Sequence, residues 1–341
     1  MSNLVTGGSG FIGGHLVRLL AVLGEPVRVL DLRRPLAPVA GADYVHGSIT
    51  DRAVVERATA GCRRVFHLAA HAGLWTADKR DFVAVNVAGT RNVLGAARVA
   101  GVDTVVHTAT ESILVDVSKR TRQTVHERTP VRLDRLAGPY CAGKALAERE
   151  ALTASRDSGQ RVIVCSPTVP LGPGDPWLTP PTRMLLGFLA RRYPAYLPTT
   201  LNVVDVRDVA LGHWLAAERG TSGARYILGG RDVPMAELLD RLERLTGVAM
   251  PKRTVPYPLA LAAAHVGEWL ADRVTRRPPA APVTGVRLAG ADVRFDNRAT
   301  RAALNWAPRP PDASLADAVD DYVRRGLFAP PASGQQPKRA R

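Results

Sequence analysis

Tyr140 and Lys144 stand four residues apart in the run GPYCAGKALAERE, so a helix there puts both side chains on one face, one turn apart. A free tyrosine, with a pKa of about 10, is a poor acid or base at neutral pH. A neighbouring ammonium and a cationic nicotinamide ring stabilise the phenolate, which lets the phenol exchange a proton with an alcohol or carbonyl oxygen. Upstream, His107-Thr108-Ala109-Thr110-Glu111-Ser112 closes an apolar run of strand length. Its hydroxyls are expected at the carboxyl edge of a sheet, where doubly wound folds bind ligands. Thr110 is the first choice to orient a substrate oxygen beside Tyr140. Thr108 and Ser112 are its competitors, and any of the three can bond to backbone instead. His107 points to the opposite face from Thr108, where a core or surface role is expected.

A hydride carrier has its own signature near the N-terminus, in Thr6-Gly7-Gly8-Ser9-Gly10-Phe11-Ile12-Gly13. Gly7 and Gly10 permit a tight turn and the close approach of a pyrophosphate. The anion then meets free N–H groups and the positive end of a helix dipole at Phe11 and Ile12, while Gly13 lets that helix pack close to the sheet. An acidic residue is required about 20 residues on, at the end of the second strand, to bond the adenosine ribose. Asp31 fills that position, which favours NAD. Arg33 and Arg34 follow and are suited to a 2′-phosphate, so NADP stays open.

These residues need a scaffold, and the pattern supplies an α/β one. Short apolar runs at 3–6, 26–31, 43–46, 63–68, 103–108 and 161–166 read as strands; 11–24, 51–59, 79–100 and 139–158 read as helices. That alternation predicts a Rossmann-type doubly wound parallel sheet with crossover helices. Prolines at 167, 170, 173, 176, 180 and 181 break regular structure until a helix begins near Thr182. Residues 202–228 return to the sheet pattern. The division expected is a dinucleotide-binding domain of 1–167 plus about 200–229, and a smaller, mostly helical substrate region of about 168–199 plus 230–328. Residues 329–341 are small, polar and basic and read as a disordered tail.

Composition narrows the function classes. The 341 residues carry a net charge of +15, but only five of 46 basic residues are Lys, and the arginines are scattered rather than interleaved with aromatics. A solvated basic surface is expected rather than a nucleic-acid groove. Cys62, Cys141 and Cys165 are widely spaced and odd in number, which speaks against disulfides or a metal knot and for a reducing compartment. With no signal-peptide pattern, a cytoplasmic protein is expected. The apolar stretch 256–271 is too short to span a bilayer, so no membrane role is expected, and it reads as a packed helix.

Taken in order, TGGSGFIGGHL, VFHLAA (65–70), NVAGTRNVL (86–94), the TAT at 108–110, YCAGK and SPTVPLGPGD (166–175) resemble the extended short-chain dehydrogenase/reductase family, also called NAD-dependent epimerase/dehydratases. The resemblance spans nearly the whole chain. YPAYLPTTLNVVDVRDVALGH and ARYILGG are closest to hopanoid-associated sugar epimerases and to dihydroflavonol-reductase-like and 3β-hydroxysteroid-dehydrogenase-like members. It implies Tyr140, Lys144 and Thr110 as the catalytic set, and Lys144 also on the nicotinamide ribose. It extends the cofactor set to Ser48, Ile49, Leu68, Ala69, Ala70, Asn86, Thr108, Pro167 and Val169. On the substrate side it implies Ala72, Trp75, Glu111, Ser112 and Thr168, and it implies a homodimer through the helices 79–100 and 139–158. Three positions depart from the family pattern. Ser48 replaces an Asp that contacts adenine, Thr110 stands where many relatives have Ser, and Leu201 takes the place of an Arg that clamps the diphosphate of a nucleotide sugar.

The expected reaction is therefore hydride transfer to or from a secondary alcohol or ketone of a fairly apolar small molecule. Losing the bidentate phosphate ligand at Leu201 argues against nucleotide sugars. Trp75 and Trp177 suit an apolar pocket, though core packing explains them equally. The alternative is a sugar epimerase or dehydratase that retains its cofactor, which Glu111 favours because dehydratases of the family carry an acidic pair after the catalytic Thr. A non-catalytic dinucleotide-binding protein is the third class, and the intact Tyr140, Lys144 and Thr110 argue against it.

Overall fold

The computed structural model describes residues 1–119 and 121–331. Of the tail expected at 329–341, residues 332–341 lie outside them. Ten alternating runs assemble as the pattern predicts. Strands β1 (Ser2–Thr6), β2 (Val27–Asp31), β3 (Asp43–His46), β4 (Cys62–His67) and β5 (Thr104–Thr108) are followed by β6 (Gln123–His126), β7 (Val162–Pro167), β8 (Val169–Leu171), β9 (Thr200–Asp205), β10 (Arg225–Leu228), β11 (Arg231–Pro234) and β12 (Val293–Asp296). Seven form one sheet in the order β10-β7-β5-β4-β1-β2-β3, every pair parallel. The strand order reverses between β1 and β4, and at such a switch point the connections leave in opposite directions and open a crevice.

Both faces of that sheet are covered, which is why buried residues run consecutively through β1, β5, β7 and most of β4 rather than alternating. Leu4, Leu30, Val65 and Val105 turn to one side, into a core shared with the helices Arg52–Thr59, Gly89–Val99 and Pro139–Asp157. Val5, Val29, Phe66 and Val106 turn to the other, against the helices Phe11–Val22 and Val206–Arg219. Alternating side-chain direction thus splits one set of strands between two cores.

One assignment needs correcting. Residues 200–205 were expected in the main sheet, but β9 pairs with β8 and β11 in a separate three-stranded sheet, and only β10 of that region joins the large one. An apolar run specifies a strand but not which sheet it joins. Here the short β8, leaving the end of β7, pairs with β9 first. This small sheet packs with the helices Pro180–Leu189, Met235–Thr246 and Pro311–Arg324 around Leu171, Leu185, Val203 and Tyr322.

The stretch 256–271 also departs from expectation. It forms the helix Tyr257–Leu270, but only Ala264 within it is buried. Its inner side packs Tyr257, Ala260, Leu261 and Ala264 against Val283 and Val286, and its remaining large apolar side chains point to solvent.

Candidate active site

The helix Pro139–Asp157 begins after Gly138, with Pro139 in its first turn where a missing N–H costs nothing. Tyr140 and Lys144 therefore emerge from its first turns, facing the end of β5. Lys144 is buried, and its ammonium donates to the Thr108 carbonyl at 2.5 Å. Burial lowers its pKa to about 8, with the Glu148 carboxylate pulling it back up. Past the end of β5 the chain turns through Glu111–Leu114, capped by Thr110, whose Oγ1 accepts the Ser112 N–H. Thr110 lies next to the Tyr140 phenol, donates to Glu111 Oε2 at 2.8 Å and lies 3.1 Å from Ser112 Oγ.

The electrostatics differ from the simple Tyr and Lys picture. Burial pushes the phenol well above its usual value; the nearby Cys141 and Glu111 push the same way, and only the Thr110 hydrogen bond opposes them. Lys144 instead spends its charge on a strand-end carbonyl. Tyr140 in the free protein is thus a protonated donor. Glu111 meets no cation among the described residues, and burial lifts its carboxyl to about 7, partly offset by the Thr110 hydrogen bond.

Buried polar groups brace this edge from below. Thr108 Oγ1 lies 2.9 Å from His213 Nε2, and His213 Nδ1 lies 2.8 Å from the Val209 carbonyl. The second contact requires Nδ1 to carry the proton, so Nε2 accepts from Thr108. Burial holds His213 near a pKa of about 4 and His67 near about 3, so both stay neutral. His67 bridges Thr6 and Thr90, and Thr90 donates to the Asn86 carbonyl. Asn86 sits in a widened turn, Ala84–Ala88, within the helical run 81–99, and its Oδ1 accepts the His71 N–H at 2.7 Å. Widened turns of this kind cluster at functional sites. His107 is buried and has no hydrogen-bond partner among the described residues, in keeping with a core role.

The dinucleotide cradle is defined by what glycine leaves out. A Cβ on Gly7 would come within 2.6 Å of the Ala69 amide nitrogen, and one on Gly13 within 2.2 Å of the Gly7 carbonyl. The turn is therefore pressed between Leu68–Ala70 and its own helix, leaving Gly10, Phe11 and Ile12 at the helix N-terminus. Asp31 closes β2; its carboxylate accepts the Ser9 and Arg33 N–H groups at 3.0 and 2.9 Å. Such a donor-lined, acid-flanked turn fits a dinucleotide. Arg34 is exposed beside it. Ser48 braces Thr50, and Ile49 packs on Gly89. Across the crevice, Pro167 ends β7 and Val169 starts β8.

The other candidates scatter more widely. Ala72 is exposed. Trp75 is buried, donating through Nε1 to Asp272 at 2.8 Å. Thr168 is buried with its N–H on the Leu228 carbonyl. Leu201 packs into the core around the small sheet and presents no cation. Trp177 lies beside the glycine turn and the end of β2: its Nε1 donates to the Ser9 carbonyl at 3.0 Å, and the Arg33 guanidinium stacks 4.5 Å from its ring. Sequence reasoning missed His213 and Asp272, each more than 100 residues from its partner. The His in DVALGH was the one available signal, since a His in an otherwise apolar helical run implies a buried partner.

A family model, the NAD dependent epimerase/dehydratase family, matches residues 3–229. A putative dihydroflavonol 4-reductase of Synechocystis sp. is 37% identical over 333 residues, 94% of each chain. A 4-hydroxy-2-methyl-3-oxo-4-farnesyl-3,4-dihydroquinoline-1-oxide ketoreductase of Stigmatella aurantiaca is 32% identical over 342 residues, covering 97% of this chain and 99% of its own. The crystal structure of gox2253 superposes with a TM-score of 0.81 at 31% identity, over 96% of this chain and 99% of that one. The glycine cradle, the Tyr140, Lys144 and Thr110 cluster at the strand edge and these matches agree, and the chain belongs to the NAD-dependent epimerase/dehydratase family, as an NAD(P)-dependent oxidoreductase of the extended short-chain dehydrogenase type.

Proposed function

We propose that the protein reduces a ketone of a fairly apolar small molecule to a secondary alcohol, with Tyr140 as the proton donor. The observation that carries this reading is the placement of Tyr140 and Lys144 in the first turns of the helix Pro139–Asp157 at the carboxyl edge of β5, where Lys144 donates to the Thr108 carbonyl and Thr110 caps the turn that follows. When bound, the reduced dinucleotide supplies the hydride. Thr110 orients the carbonyl oxygen, and Tyr140 gives that oxygen its proton. Lys144 holds the ribose side of the site. The names of the two relatives, a 4-reductase and a ketoreductase, support this chemistry. Leu201 in a packed core supports an apolar substrate over a nucleotide sugar. The substrate side is assigned to 168–199 together with 230–328.

After the transfer the phenolate needs a proton, and the Tyr140–Thr110–Glu111 chain supplies one. The Thr110 hydroxyl passes its proton to Tyr140 and takes another from the Glu111 carboxyl. Glu111 holds that proton below about pH 7. Reduction is therefore expected to slow as pH rises through about 7, and Glu111→Gln to lose that limb while turning over about tenfold more slowly. An unchanged pH profile in Glu111→Gln excludes the relay.

The test of the reading is purified protein with NADH or NADPH and a panel of cyclic and aryl-alkyl ketones, following absorbance of the reduced cofactor. Net consumption supports reduction. Turnover of a sugar substrate with retained cofactor and no net redox change supports the epimerase or dehydratase alternative, for which Glu111 is the favouring observation. Asp31 supports NAD over NADP, because its carboxylate repels a 2′-phosphate. Asp31→Asn removes that charge and keeps an acceptor for only one of the Ser9 and Arg33 N–H groups, which bond different oxygens of the carboxylate. Its kcat/KM ratio for NADPH over NADH is expected to rise about tenfold, equivalent to about 1.4 kcal/mol.

A further inference from the structure

We infer that the outer face of the helix Tyr257–Leu270 and the turn after it form a docking surface for an anionic bilayer, on which the protein sits peripherally. The helix packs one apolar side inward, through Tyr257, Ala260, Leu261 and Ala264, and carries a second apolar face outward. Leu259, Val266, Trp269, Leu270 and Val274 are exposed at 63, 61, 59, 41 and 66%. Positions 259, 266, 270 and 274 follow helical spacing, so they form one stripe rather than isolated exposures. The acidic residues point inward. Glu268 accepts the Val283 N–H at 2.8 Å, and Asp272 accepts from Trp75 and from Lys79 at 2.8 and 3.1 Å. Turning both carboxylates toward the protein removes every negative charge of the helix from the outer face.

The charge that remains outside is positive. Arg273, Arg276 and Arg277 are exposed at the C-terminal end of the stripe, and their guanidinium groups make no ion pair among the described residues. An apolar stripe ending in free arginines, with a tryptophan between, is complementary to acyl chains under anionic headgroups, where the indole sits at the boundary. The small alanines between the large side chains offer no polar group to set register against a protein partner, which favours a fluid surface. At 14 residues the helix is about 21 Å long, short of the roughly 30 Å hydrocarbon core, so it lies in the interface. No helix of the described residues is long and apolar enough to cross a membrane.

The inner side of the same helix holds the loop after β4 through Asp272, Trp75 and Lys79, next to the candidate substrate side. Docking there brings the mouth of the site near a reservoir of apolar molecules.

The test is flotation of the full chain with vesicles of phosphatidylcholine alone or of equimolar phosphatidylcholine and phosphatidylglycerol. Binding is expected to the anionic vesicles, with a blue shift of Trp emission that Trp269→Phe abolishes. The double variant Val266→Glu, Leu270→Glu is expected to lower the bound fraction at least tenfold, and Arg273→Ala, Arg276→Ala, Arg277→Ala to remove the preference for anionic lipid. The double variant decides the matter, because basic residues at 338, 339 and 341 also carry charge. Thermal melts check its fold, which these exposed positions should leave intact. No binding by the parent chain, or equal binding by the double variant, overturns the inference. So does a parent dimer that the double variant splits to monomer while neither floats, which makes the face a subunit contact. Binding is read without turnover, so this result is independent of whether the ketone panel succeeds.

Discussion

Tyr140→Phe is expected to lower kcat for ketone reduction by about 10³–10⁴, at the upper end of what a positioned general acid contributes, while cofactor affinity changes less than threefold. The ring remains, so its edge-on contact with Phe82, centroids 6.0 Å apart, persists and the fold is unaffected. Only the donor is lost. No described neighbour substitutes for it: Thr110 is a far weaker acid, and Lys144 is directed to the Thr108 carbonyl. Steady-state kinetics with calorimetry of NADH binding separate the two effects. A variant that turns over at the parent rate rejects Tyr140 as the proton donor. Loss of cofactor binding alongside activity points to a structural role instead. In Thr110→Val the loss is expected to be smaller, about 10–100-fold, because orientation rather than the proton is removed.

Gly13→Ala is expected to destabilise the protein by about 2–3 kcal/mol and to weaken dinucleotide binding at least a hundredfold. The added methyl meets the Gly7 carbonyl oxygen at 2.2 Å and the Gly8 Cα at 2.8 Å, both backbone atoms, so no side chain can give way. Either the helix Phe11–Val22 moves off the sheet or the turn opens, and each removes N–H groups from the pyrophosphate site. Gly14→Ala is the internal control. There the new methyl finds nothing nearer than 3.7 Å, and alanine in a helix is favoured over glycine by about 0.5–1 kcal/mol, so stability should hold or rise. Melting temperatures and calorimetric titration with NADH measure both. Equal behaviour of the two variants contradicts the close-packing argument.

The residues that could be read from the chain are those whose role is set within one turn or one strand. The glycine turn, Asp31 at the end of β2, and the Tyr140 and Lys144 spacing each depend on contacts between near neighbours, and the strand and helix periods around them follow from burial on two faces. Contacts across the fold were not legible. That Lys144 would meet the Thr108 carbonyl, that Thr108 would lean on His213, and that Glu111 would sit uncompensated beside Thr110 depend on how β5, the helix Pro139–Asp157 and the helix Val206–Arg219 converge. Trp177 is a further example. In the sequence it is one aromatic in a proline-rich loop, and only packing against Ser9 and Arg33 brings it beside the glycine turn.

Local chemistry in the chain determined the alternation of strand and helix, the glycine turn and the candidate set Tyr140, Lys144 and Thr110, because these rest on propensity, periodicity and short spacing. The tertiary structure alone decided which sheet received β9, that burial would desolvate Tyr140 and Glu111, and which side of the helix Tyr257–Leu270 would face water. Sheet membership, desolvation and exposure are properties of surroundings assembled from distant segments, and no single stretch of sequence carries them.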